Sequence, residues 1–173
     1  RGVTYFLSQQ FEKAVEDFDR FIRRDPKVGD AYLNRGASHL FLGDTLKAMN
    51  DYNTAISLNR FDPEGYIRRS RIHIMQKNTE PALEDLTSAI SLDSTNTFAF
   101  FNRALVKYDN KDIMGALADL EKVLELDPGN ALTLYNRALI RSQIGDYNNA
   151  VDDYDRVITI NPNNVLAYYN RAS

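Results

Sequence analysis

The 173-residue chain contains no cysteine and no tryptophan. Without thiols there can be no disulfide framework, cysteine nucleophile or cysteine-ligated zinc. That absence suits a reducing and an oxidising compartment alike, so it does not locate the protein. No apolar run approaches the roughly 18 residues needed to cross a bilayer, and no membrane insertion is expected. Charge of one sign is also lacking: 24 acidic and 21 basic side chains leave a net −3. The chain therefore has no basic footprint of the kind nucleic-acid binding needs, and nucleic acid is not expected as a partner. No phosphate-cradling glycine loop or serine-elbow motif occurs. What remains, 43% hydrophobic and 26% charged, is the composition of a folded globular protein.

A period of 34 organises the sequence. Asn-Arg followed by a small residue occurs at Asn34-Arg35-Gly36, Asn102-Arg103-Ala104, Asn136-Arg137-Ala138 and Asn170-Arg171-Ala172. The copy missing between the first two falls at Arg68-Arg69-Ser70. Ala14, Ala48, Ala82, Ala116 and Ala150 keep the same interval, as do Asp17, Asp51, Asp85, Asp119 and Asp153. So do Ile22, Ile56, Ile90, Leu124 and Ile158. So many columns in one register, with no insertion, define a repeat.

Within a unit the apolar residues step by three and four, as in Leu117, Leu120 and Leu124 or Phe98, Phe101 and Leu105. That is one face of a helix. Each unit reads as two helices, roughly 30–43 and 46–59 in the second unit. Gly43-Asp44 and Gly145-Asp146 supply a glycine stop and an aspartate N-cap, with Asn78 and Asp112 in the same cap column. Asp25-Pro26, Asp127-Pro128 and Asn161-Pro162 close the second helices. The small columns, Gly36, Ser70, Ala104 and Ala138 on first helices and the alanines on second helices, let backbones approach closely. Tyr52, Leu86, Leu120 and Tyr154 fill the space beside them.

The second unit carries Tyr32, Gly36, Gly43-Asp44, Ala48, Tyr52 and Ala55; the fifth carries Ala138, Gly145-Asp146, Ala150, Tyr154 and Pro162. This pattern resembles the tetratricopeptide repeat, a 34-residue helix-turn-helix. The resemblance covers the whole chain. It implies an all-α fold, a right-handed α-solenoid of antiparallel helix pairs. The expected units are a partial repeat over 1–28, full repeats over 29–62, 63–96, 97–130 and 131–164, and the start of another over 165–173. The third departs most, with Lys77 for the glycine and Ser94 for the proline. The register places both ends inside a first helix, which suggests a fragment of a longer repeat protein whose uncapped ends admit self-association.

Two readings attach to the Arg and Asp columns: a basic stripe for acidic ligands, or an ion pair joining the two helices of each hairpin. The pairs are Arg1 with Asp17, Arg35 with Asp51, Arg69 with Asp85, Arg103 with Asp119 and Arg137 with Asp153. The ion pair accounts for both columns at once. Asparagine is a mediocre helix former, so Asn34, Asn102, Asn136 and Asn170 need a reason of their own. The resemblance implies that first helices line a concave groove, where such a ladder holds an extended peptide's backbone; capping groups in a neighbouring repeat is the other reading. The same geometry puts Leu33, Ala37, Ile67, Phe98, Phe101, Leu105, Tyr108, Leu132, Tyr135, Leu139, Leu166 and Tyr169 in the groove. Arg68 and Arg71 offer an anion contact, against which stands a helix pair between Arg68 and Glu64. Leu33, Ile67 and Phe101 occupy positions where the chaperone-tail type of repeat keeps its carboxylate clamp, so that clamp is not expected. His39 and His73 fall in a core-type column and read as packing residues, since zinc would want further ligands at short spacing.

No cofactor, metal site or catalytic residue is read from the sequence, and the chain is not expected to be an enzyme. The expected role is a scaffold binding an extended or helical segment of a protein or peptide in the groove. The alternative is a structural, self-assembling or regulatory module of a larger protein.

Overall fold

The computed structural model of the chain describes residues 1–172; Ser173, the last residue of the expected sixth unit, lies outside them. Among the described residues there are eleven helices and no strand. They are α1 (Gly2–Leu7), α2 (Phe11–Arg24), α3 (Gly29–Phe41), α4 (Thr45–Leu58), α5 (Pro63–Met75), α6 (Thr79–Leu92), α7 (Thr97–Asp109), α8 (Ile113–Leu126), α9 (Ala131–Gln143), α10 (Tyr147–Ile160) and α11 (Val165–Ala172). They pair as antiparallel hairpins of α-solenoid type. The chain forms two compact units, one from Arg1 to Ser94 and the other from Thr95 onward.

The turn inside each hairpin is set by one column. Gln9, Gly43, Lys77, Lys111 and Gly145 all have positive φ, between 58° and 82°. The residue after each N-caps the next helix, and Asp44 and Asp112 accept from Lys47 N and Gly115 N. Lys77 and Lys111 therefore hold the glycine's conformation at the steric cost of a Cβ, of the order of 1–2 kcal/mol. Lys111→Gly is expected to raise unfolding free energy by about 1 kcal/mol, tempered by glycine's extra freedom in the unfolded chain. A urea titration in which its midpoint fails to rise would contradict this.

First helices have a cap column of their own: Asp62, Asn96 and Asn130 accept from Glu64 N, Ala99 N and Thr133 N. Pro63 follows Asp62 at the first helical position, where it loses no hydrogen bond. Pro63 thus starts α5, whereas Pro26, Pro128 and Pro162 follow the ends of second helices.

In the first unit Leu33, Ala48, Tyr52, Ala55 and Ile72 form one core cluster. A Cβ on Gly36 would lie 2.7 Å from Tyr52 Cε1, so the small residue is demanded by the ring. In the second unit Ala104, Ala116, Leu120 and Ile140 form one cluster. Leu124, Leu134, Ala138, Ala150, Tyr154, Val157 and Ala167 form another. Each cluster draws on a hairpin and the first helix of the next, which is how one repeat holds its neighbour.

Candidate functional site

The structure brings the arginine and aspartate columns together. Arg35 donates Nε to Asp51 Oδ2 at 3.0 Å and Nη2 to Oδ1 at 2.6 Å. Arg69 forks Asp85 at 2.9 and 2.6 Å, Arg103 forks Asp119 at 2.8 and 2.7 Å, and Arg137 forks Asp153 at 2.8 and 2.7 Å. The aspartates Asp51, Asp85, Asp119 and Asp153 are all buried. Hydrogen bonding to Asp51 and Asp85 raises the pKa of Arg35 and Arg69 above the ordinary guanidinium value.

Arg35, Arg69, Arg137 and Arg171 also reach backward, a contact the sequence reading missed. Arg35 Nη1 donates to Asp19 Oδ1 at 2.6 Å and Arg69 Nη1 to Asn53 Oδ1 at 2.7 Å. Arg137 Nη1 lies 3.6 Å from Glu121, and Arg171 Nη1 binds Asp155. The guanidinium thus joins its own hairpin to the preceding second helix. With its fork spent on structure, the column is no open stripe for acidic ligands.

The histidine column is not an apolar one. His73 Nε2 is 3.9 Å from Asp85, and Lys107 Nζ and Arg141 Nη1, in the same column, lie 2.8 and 2.6 Å from Asp119 and Asp153. The column places a second cation or imidazole beside the buried aspartate. Burial lowers the His39 pKa and favours its neutral form. Among the described residues, no group of three or more His, Cys, Asp or Glu is placed to hold a metal ion, and no helix is long and apolar enough to cross a membrane.

The expected groove residues divide. Leu33 and Ile67 are buried, and Leu33 packs against Ala48, Tyr52 and Ala55 of its own hairpin and Ile72 of the next first helix. Ala37, Leu105 and Leu139 are half-buried. Phe101 and Tyr108 pack against the Ala104 cluster, and Tyr135 packs against the Leu134 cluster, edge-on to Tyr154 at 5.9 Å. In contrast Phe98, Leu132 and Leu166 are 54%, 60% and 62% exposed, and Tyr169 is exposed beside them on α11. Phe98, Leu132 and Leu166 form one column on α7, α9 and α11. In the first unit the same column carries Asp30 and Glu64.

One turn further along each helix stands the asparagine column. Asn102 Nδ2 donates to Phe98 O at 2.7 Å and Asn136 Nδ2 to Leu132 O at 2.8 Å. Asn170 Nδ2 donates to the Tyr135 hydroxyl at 2.8 Å, tying α11 to α9, and Tyr108 donates its hydroxyl to Gln143, tying α7 to α9. Asn34 is half-buried on α3. Arg68 is held by Glu64 at 2.6 Å and by Leu33 O at 3.2 Å, whereas Arg71 is exposed. The half-buried carboxamides of Asn102 and Asn136 are fixed by their own helix and keep Oδ1 for another donor.

Comparison with known proteins places these features. Sequence models described as tetratricopeptide repeat match residues 2–63 and 131–164. No curated protein matches the chain. Among solved structures, MamA is 19% identical with a TM-score of 0.84, over 92% of this chain and 93% of that one. YrrB, described as "a TPR protein with an unusual peptide-binding site", is 20% identical with a TM-score of 0.81, over 99% and 89%. The pilF protein of Pseudomonas aeruginosa is 20% identical with a TM-score of 0.87, over 98% and 77%. At these identities the likeness is one of fold.

Proposed function

Because the chain belongs to the tetratricopeptide repeat family, whose arrays act as protein-interaction scaffolds, we propose that the first-helix face of its second unit binds an extended segment of a partner protein. The exposed column Phe98, Leu132 and Leu166 carries this reading. Large apolar side chains repeated at one exposed position are costly to leave in water and are the usual anchors of a binding surface. Phe101, Tyr108, Tyr135 and Tyr169 flank that column. Asn102, Asn136 and Asn170 complete it with carboxamides that suit a peptide backbone whatever its sequence. The interior backbone N–H groups of a helical ligand are already bonded internally, whereas an extended segment presents free N–H groups along its length to the Oδ1 acceptors of Asn102 and Asn136. In the first unit Asn34, Arg68 and Arg71 occupy the corresponding face, and Arg71 there offers a cation to an acidic partner residue.

Selection of a displayed random-peptide library on the immobilised chain tests the proposal. Binders retained by the parent should be lost by Phe98→Asp with Leu132→Asp, both exposed positions whose change leaves helicity intact. Equal retention by parent and variant would overturn it.

A further inference from the structure

On the first-helix face of the second unit, groups able to hold a ligand come once per repeat. Phe98 on α7 and Leu132 on α9 are exposed at one helix position. Asn102 Nδ2 is held by Phe98 O at 2.7 Å and Asn136 Nδ2 by Leu132 O at 2.8 Å, which fixes each Oδ1 beside its column residue. Each of these helices therefore offers one apolar anchor and one hydrogen-bond acceptor.

The interval between successive sets decides which backbone conformation can use them. Consecutive first helices are tied side chain to side chain. The Tyr108 hydroxyl on α7 donates to Gln143 on α9, and Asn170 Nδ2 on α11 donates to the Tyr135 hydroxyl on α9 at 2.8 Å. Helices in such contact lie about 8–10 Å apart, so anchor and acceptor recur at about that interval. In a β-strand, one face returns every second residue, about 6.8 Å along, and next at about 13 Å. Neither spacing matches. A polyproline-II helix rises about 3.1 Å per residue with three residues per turn, so one face returns about every 9.3 Å. It also makes no internal hydrogen bond, which leaves the N–H of every non-proline residue free.

We infer that the segment held by this face is a polyproline-II helix, read in triplets. One side chain of each triplet packs on Phe98 or Leu132, and one N–H donates to Oδ1 of Asn102 or Asn136. The rest of the triplet faces water. Proline is excluded from the residue whose N–H is used and favoured where neither group is, because it orders the free segment in the bound form. The inference rests on the reading of this face as a peptide groove and adds the ligand's conformation and period.

Two scans of one library-selected peptide test it, with Kd measured by calorimetry. In the first, each non-proline backbone N–H is replaced by N-methyl; in the second, each side chain is cut to alanine. Sensitive positions in each scan should recur every third residue, each loss being about threefold or more. Proline placed where both scans are silent should tighten binding. Sensitivity at every second residue, sensitivity at no fixed interval, or weaker binding after the proline changes would overturn the triplet and leave the groove standing. Equal binding by the parent and by Phe98→Asp with Leu132→Asp would overturn the groove reading and the triplet with it.

Discussion

Asp153→Ala is expected to remove about 3–5 kcal/mol of stability, the cost of breaking a buried ion pair from one side. Asp153 is 2% exposed and accepts from both Arg137, itself 7% exposed, and Arg141. Its loss leaves two guanidinium groups beside one apolar cluster, with Glu121 at 3.6 Å and Asp146 at 3.9 Å as the remaining counter-charges. Arg137→Met with Asp153→Leu should be milder than the single change, since it removes the more deeply buried guanidinium with its partner and leaves only Arg141, which keeps Asp146 at 3.9 Å. Urea titrations of the three proteins check this. A double variant as unstable as Asp153→Ala would contradict it.

Leu134→Ala should cost about 2–5 kcal/mol, and toward the upper end. The side chain is fully buried among Ala138, Ala150, Tyr154, Val157 and Ala167. Three of those neighbours are alanines, which cannot lean into the space vacated, so a cavity persists. Leu132→Ala, two residues away at 60% exposure, should change stability by no more than about 0.5 kcal/mol. That contrast separates the residue that holds the repeat from the one available to a ligand. Comparable losses from the two substitutions would show that the face carrying Leu132 is packed against something and not open.

What the sequence revealed and what it hid share one cause. Columns that keep a single residue type, such as the alanines, the aspartates and the Asn-Arg pair, announce themselves, and the Arg35–Asp51 type of pairing was readable from spacing. Columns that keep a role while changing residue do not. The backward partners of Arg35, Arg69, Arg137 and Arg171 are Asp19, Asn53, Glu121 and Asp155, and the second cation or imidazole beside the aspartate comes from His39, His73, Lys107 or Arg141. Neither column looks uniform in letters, although each preserves a hydrogen-bonding or charged group. The left-handed turn is similar: Gly43 and Gly145 signal it, whereas Lys77, Lys111 and Gln9 adopt it against their preference. The groove was legible only as a helix face. A period of three to four residues does not say which edge of the face meets the next hairpin, and so Leu33 and Ile67 proved buried while Phe98 and Leu132 proved open.

The most direct test of the binding face is a calorimetric titration of one library-selected peptide against the parent and against Asn102→Ala with Asn136→Ala, matched in thermal midpoint. Two lost backbone hydrogen bonds should weaken binding about tenfold or more, since each is worth roughly 0.5–1.5 kcal/mol. An unchanged Kd would contradict the account and leave the asparagines as braces for the carbonyls of Phe98 and Leu132.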